Sequence, residues 1–193
     1  YDTVEEWDAV VLVCKDACVV SCHLLVGLKG AELAPELQKW KARLVAGGNN
    51  LRDTNGLRVY EADLHGSPAS LEAVRLVLAH AANTPGAALL SADVQTAYLQ
   101  AELLGRPVYL ALPKDLWPDS WFLDGCRRES PRFKKPVLRL RKAIYGLRRS
   151  GFDWRTHADA ILQAQGWVPV VDHQEAMYIM PYIDPKGKKA VHC

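Results

Sequence analysis

The chain has 193 residues, 49% of them hydrophobic, and carries 24 Lys and Arg against 22 Asp and Glu, a formal net charge of +2. This is the profile of an ordinary globular domain, or of one domain with part of a neighbour, able to bury a sizeable core. No apolar run approaches the roughly 20 residues of a membrane span, and five Cys in a chain this long show no disulfide framework.

The first residues, Tyr1-Asp2-Thr3-Val4-Glu5-Glu6, lack the basic start of a signal peptide. With no initiating Met, the sequence is expected to be a fragment of a longer polypeptide. Residues 8–28 are apolar and β-prone, interrupted at Lys15-Asp16. Cys14, Cys18 and Cys22 are spaced four apart with His23 adjacent. A metal site is one reading, but buried reduced thiols in strands are favoured, and an intracellular location follows.

Gly27 through Pro35 is a turn region, after which Trp40–Ala46 alternates basic and apolar residues as a half-exposed strand does. Val19–Leu28 and Trp40–Ala46 are expected to form an antiparallel hairpin. Gly47-Gly48-Asn49-Asn50 and Asp53-Thr54-Asn55-Gly56 are turns. Ser67-Pro68 starts a helix, with Ser as N-cap and Pro at the first helical position. Leu71, Val74, Leu78 and Ala81 share one face of it, and Asn83-Thr84-Pro85-Gly86 ends it.

Ala87–Ala92 reads as a short apolar strand with Asp93 at its end, followed by a turn of helix through Leu103. Val108–Leu112 is a strand closed by Pro113, and a Trp- and Pro-rich insertion occupies 114–136. Val137–Lys142 is a strand, and Gly151–Gln165 an amphipathic helix stopped by Gly166. Asp184-Pro185-Lys186-Gly187 is a turn. This order of elements indicates an α+β or mixed α/β fold.

The charge is unevenly placed. Between Arg127 and Arg149 stand ten Lys or Arg and one acid, Glu129, leaving 14 basic and 21 acidic residues elsewhere, a balance of −7. A basic stretch on an otherwise acidic chain suits a polyanion, or else a solvated face.

Asp93, taken alone, reads first as an N-cap for the following turn. Its alternative is a ligand for a hard divalent cation at a strand end, joined by the Val94 carbonyl, with Tyr98 close to the same place. Lys41 and Arg43 make either a wet basic strand face or a phosphate grip, since Arg offers a fork and Lys a mobile point charge. In Lys142-Ala143-Ile144-Tyr145-Gly146-Leu147-Arg148-Arg149-Ser150-Gly151-Phe152-Asp153-Trp154, Gly146 permits close backbone approach and a turn into a helix.

These blocks together resemble the reverse transcriptases of copia-type LTR retrotransposons. Trp40–Gly48 is similar to the family's KARLVARG motif, departing at Gly47, where Arg is common. Lys142–Trp154 is similar to KSLYGLKQSPRxW, with Gly151 in place of Pro. Residues 67–82, 108–117 and 166–179 give weaker matches, so the resemblance covers roughly 19–180.

The resemblance implies a fingers-and-palm fold over residues 19–193 behind an N-terminal flank of 1–18, with an antiparallel sheet packed on helices. It implies RNA- and DNA-templated DNA synthesis by two-metal phosphoryl transfer. Asp93 and Val94 would hold magnesium, with manganese as the substitute, and Asp93 would be catalytic. Lys41 and Arg43 would steady the triphosphate of a dNTP, Tyr98 would exclude a 2′-hydroxyl, and Tyr145 and Gly146 would shape the nucleotide pocket. Lys142, Arg148 and Arg149 would meet the template-primer backbone. The remainder of a retroelement polyprotein is the implied partner, in a cytoplasmic particle or the nucleus, with no membrane.

The family's second catalytic strand carries YxDD, yet no Asp-Asp pair occurs in the sequence. One carboxylate cannot hold two ions. The palm is therefore expected to be incomplete and the isolated chain inactive. The competing class is a non-catalytic nucleic-acid-binding remnant of a retroelement.

Overall fold

Residues 7–13 are helical because the side chains that reach the core, Val10 buried and Trp7 partly so, stand at helical spacing. The structure is a computed structural model that describes residues 4–60, 66, 68–123, 129–170, 176–183 and 189–192. Strand β1 (Val4–Glu6) leads directly into helix α1 (Trp7–Val13). Trp7, Val10 and Cys14 pack with Tyr109 and Val137, an i, i+3, i+7 pattern. Leu12 and Val13 face solvent. The β-prone run therefore becomes strand only after Lys15-Asp16; β-branched content suggested extended structure, and the spacing of the side chains that reach the core decided otherwise.

The expected hairpin forms from β2 (Cys18–Lys29) and β3 (Lys39–Ala46), paired antiparallel from Cys22↔Ala46 to Lys29↔Lys39. The first half of β2 sends Cys18, Val20 and Cys22 into the main core, where they meet Leu51, Val108, Leu110, Ile144 and Leu147. Alternation places these thiols inside, every second residue. Cys14 instead ends α1 and packs, partly buried, against Val10, Tyr109 and Val137; among the described residues no group of three or more His, Cys, Asp or Glu is placed to hold a metal ion.

Strand β4 (Arg52–Asp53) pairs with the start of β2. Strand β5 (Val108–Ala111) runs parallel to β2, and β6 (Pro136–Arg139) is antiparallel to β5 and to β1. The sheet order is β1-β6-β5-β2-β3, with β4 also on β2. It is mainly antiparallel, with the β2–β5 pair parallel. Strand β6 ends at Arg139, three residues before the expected Lys142.

Helix α2 (Leu71–Asn83) starts later than expected, capped by Ser70, whose hydroxyl accepts from the Ala73 N–H at 3.1 Å. The expected cap, Ser67, lies outside the described residues. Ala73 is the buried residue of this helix, while Leu71, Val74 and Leu78 stay exposed.

Residues 87–94 form no strand. A strand needs a neighbour for its N–H and C=O groups, and no described strand pairs with this run; Leu90 is 96% exposed. Helix α3 (Ala97–Gln100) follows as a single turn. The Trp-rich insertion is a packed aromatic core: Trp117, Trp121 and Phe122 are buried together against Phe133, Val4 and Leu138.

Helix α4 (Ser150–Ala164) ends at Gly166, where φ is +91°, a left-handed stop that glycine adopts without steric cost. A second sheet, β7 (Val168–Pro169), β8 (Tyr178–Ile183) and β9 (Lys189–His192), is antiparallel throughout. The expected turn at Asp184–Gly187 lies outside the described residues, between β8 and β9. Among the described residues no helix is long and apolar enough to cross a membrane.

Candidate nucleotide and nucleic-acid site

Lys41 and Arg43 are two residues apart on β3, so they share a face of the hairpin. Their cross-strand neighbours on β2 are Gly27 and Leu25. Gly27 has nothing within 4 Å of where a Cβ would stand. The missing side chain leaves a recess of about 290 Å³ lined by Leu25, Gly27, Lys29, Lys41 and Arg43. Sequence reasoning passed over Gly27 as part of a turn. A glycine inside a paired strand is the signal that marks it.

The Arg43 guanidinium carbon lies 5.6 Å from the centroid of the Tyr145 ring, within range of a cation–π contact. The Tyr145 ring in turn lies 5.2 Å from that of Tyr98, tilted by 58°. Three segments far apart in sequence, β3, the 144–147 turn and α3, thus meet through Arg43, Tyr145 and Tyr98.

Backbone contacts fix the turn. The Ala46 N–H donates to the Tyr145 carbonyl at 2.8 Å, and the Ser150 hydroxyl donates to the Ile144 carbonyl at 2.6 Å. Gly146 has φ +94°, and a Cβ there would strike the Ala46 carbonyl oxygen and Val45. Gly146 therefore serves close backbone packing against the end of β3, and nothing described opens it toward a ligand.

Asp93 is exposed, in the run 87–94 that lacks regular structure. It is not the cap of α3: that position belongs to Thr96, at φ 51° with no side-chain cap bond. A β-branched residue there is strained, on the order of 1–3 kcal/mol, and it turns the chain so that α3 presents Tyr98. Val94 is also exposed. A two-ion site needs several carboxylates, and among the described residues no group of three or more His, Cys, Asp or Glu forms at Asp93.

The three basic residues assigned to nucleic acid differ. Arg148 is exposed. Lys142 is exposed too, and its Nζ donates to the Gln100 carbonyl at 2.9 Å, placing a cation at the C-terminus of α3. Arg149 is 6% exposed, and Asp153 beside it 1%. Arg149 Nε and Nη2 donate to the two Asp153 carboxylate oxygens at 2.8 and 3.0 Å. The assignment of Arg149 to a nucleic-acid backbone is therefore corrected: its guanidinium is committed inside the fold, against the space left by Gly105. The i, i+4 spacing of Arg149 and Asp153 was the available signal.

A second polar group joins α4 to β8. The Tyr178 hydroxyl donates to Asp159, which also accepts from Arg155 Nε at 2.6 Å. Burial, then the bond to Asp159, pushes the Tyr178 hydroxyl above its ordinary pKa. Beside it runs an apolar groove of about 620 Å³ between α2, residues 89–91 and Trp167.

Residues 5–185 match a family model described as reverse transcriptase (RNA-dependent DNA polymerase). Neither curated proteins nor solved structures give a match. The matched span takes in β3, Asp93, α3, the Tyr145 turn and α4, and on that span the chain belongs to the reverse transcriptase (RNA-dependent DNA polymerase) family.

Proposed function

We propose that this chain is the fingers and incomplete palm of a copia-type retrotransposon reverse transcriptase, serving a parent polyprotein in an intracellular particle. The observation that supports this most is the meeting of Arg43, Tyr145 and Tyr98 from three separate segments, beside a recess lined by three cations, Lys29, Lys41 and Arg43. That arrangement suits a nucleoside triphosphate, with phosphate at Lys41 and Arg43 and sugar toward Tyr98. Arg148, and Lys142 through the donors its carbonyl bond leaves over, would meet the template-primer backbone.

In the parent reaction a primer 3′-hydroxyl attacks the α-phosphorus of a dNTP and pyrophosphate leaves. Asp93 and the Val94 carbonyl would be this chain's share of the ligands for magnesium or manganese, which would supply charge neutralisation for phosphoryl transfer. The described residues do not fit a resident ion pair by themselves, since no group of three or more candidate ligands gathers at Asp93 and the Val94 carbonyl. A complete site requires further carboxylates beside Asp93. Isolated, the chain would bind template-primer and dNTP without joining them.

The exposed Asp93, in a run that forms no strand and no group of three or more candidate ligands among the described residues, also suits a second reading, a nucleic-acid-binding remnant. One experiment separates them. The 193-residue chain and a version continued through an aromatic-x-Asp-Asp segment are each given a primer-template, dNTPs and magnesium. Extension by the longer protein alone, abolished by Asp93→Asn, supports the polymerase. Binding by both proteins with no extension by either supports the remnant. Extension by the 193-residue chain itself refutes the incomplete-palm reading.

A further inference from the structure

We propose that Tyr145 is a positioning residue for the sugar gate: its ring sets the orientation of Tyr98 and so the discrimination between deoxyribose and ribose. The inference rests on the nucleotide-binding reading above.

The argument begins with how weakly Tyr98 is held by its own segment. Helix α3 has four residues, far below the roughly 12–15 that sustain an isolated helix. It is entered through a strained left-handed Thr96 and preceded by a run that pairs with no strand among the described residues. Its C-terminal carbonyl at Gln100 is held by the long, flexible side chain of Lys142. Past its end the Ala101 carbonyl accepts from the Ala143 N–H and the Leu103 N–H donates to the Arg141 carbonyl, and α3 packs against α4; these contacts hold the backbone of the turn, while rejection of one hydroxyl also requires the ring itself to be fixed to a few tenths of an ångström.

Tyr145 stands on firmer ground. Its carbonyl is bonded to Ala46, the preceding carbonyl to Ser150, and the following glycine is jammed against the Ala46 backbone. A ring mounted on that turn, 5.2 Å from Tyr98, supplies a rigid reference for the Tyr98 ring itself, which the backbone contacts of α3 do not touch. Arg43 lies over the same ring, so the aromatic pair is built next to the cation assigned to the triphosphate. The relevant property of Tyr145 is its aromatic face, and its hydroxyl is dispensable.

The test uses the 193-residue protein with a primer-template and equilibrium dialysis of radiolabelled dATP and ATP. Wild type is expected to prefer dATP. Tyr145→Leu is expected to shrink that preference roughly 2- to 10-fold, the scale of one aromatic pair, chiefly by admitting ATP, while Tyr145→Phe keeps it. A second readout needs no nucleotide. In 3-fluorotyrosine-labelled protein, the fluorine resonance absent from Tyr98→Phe is expected to shift in Tyr145→Leu. An equal loss of affinity for both nucleotides, an unchanged preference, or an unmoved Tyr98 resonance would each overturn the proposal. A wild-type chain that binds neither nucleotide, or both alike, would overturn the nucleotide-site reading and this inference with it.

Discussion

The carbonyl oxygen of Gly146 occupies the place where Gly48 would carry a Cβ, so these two glycines meet backbone to backbone. The end of β3 and the turn bearing Tyr145 are consequently one rigid unit, closed further by the Ala46–Tyr145 hydrogen bond. Alanine at Gly48 must push backbone aside; alanine at Gly146 must do that and also adopt a left-handed φ. Both substitutions are expected to destabilise by more than about 2 kcal/mol, Gly146→Ala the more severely. Urea unfolding followed by Trp fluorescence reads this directly, and an unshifted midpoint for Gly48→Ala would contradict the packing.

The neighbouring arginines are expected to separate stability from binding. Arg149→Ala strands the buried Asp153 carboxylate and should cost about 3–5 kcal/mol. Arg149→Lys should recover little of that, because a single ammonium cannot make the two-pronged contact. Arg148→Gln should leave the unfolding midpoint in place. It should instead flatten the salt dependence of nucleic-acid binding by roughly one counterion. A stable Arg149→Ala protein with weakened, less salt-sensitive binding would restore Arg149 to the nucleic-acid surface.

The hairpin, the strand at Val108 and the helix closed by Gly166 were legible because alternation, helical spacing and a left-handed glycine are local signals. The meeting of Arg43, Tyr145 and Tyr98 was legible only through the resemblance, since nothing local ties residue 43 to residue 145. Two readings failed for a shared reason. Leu89 and Leu90 look like a buried strand, and Arg149 looks like a surface cation, when each is read alone. Burial depends on partners elsewhere in the chain: 87–94 has no described strand beside it, whereas Arg149 has Asp153 one helical turn away. The seven residues of α1 show the same limit from the other side, since Val10 alone of its β-branched residues reaches the core.

Thiol reactivity should follow burial. Cys18 and Cys22 are buried and Cys14 is partly exposed, and burial pushes the Cys22 thiol above its ordinary pKa. The thiolate is the reactive form, so Cys22 stays protonated and shielded at neutral pH. Iodoacetamide followed by peptide mapping is expected to modify Cys14 well before Cys18 or Cys22, and all three together in denaturant. Equal rates in the native protein would argue that the first half of β2 is not packed in the core.

Gly27 offers the sharpest separation of fold from function. Its backbone φ is not left-handed, and nothing lies within 4 Å of a Cβ added there. A β-branched residue suits a paired strand better than glycine does, by up to about 1 kcal/mol. Gly27→Val is therefore expected to hold or raise the melting temperature. The same side chain would project into the recess opposite Lys41, where the triphosphate is proposed to lie, and dATP affinity should fall roughly tenfold, equivalent to about 1.4 kcal/mol. Differential scanning fluorimetry and equilibrium dialysis on the same preparation give both numbers. A protein that is more stable and binds dATP as well as wild type would remove the recess from the nucleotide site. A less stable one would mean that the space beside Gly27 is filled in solution.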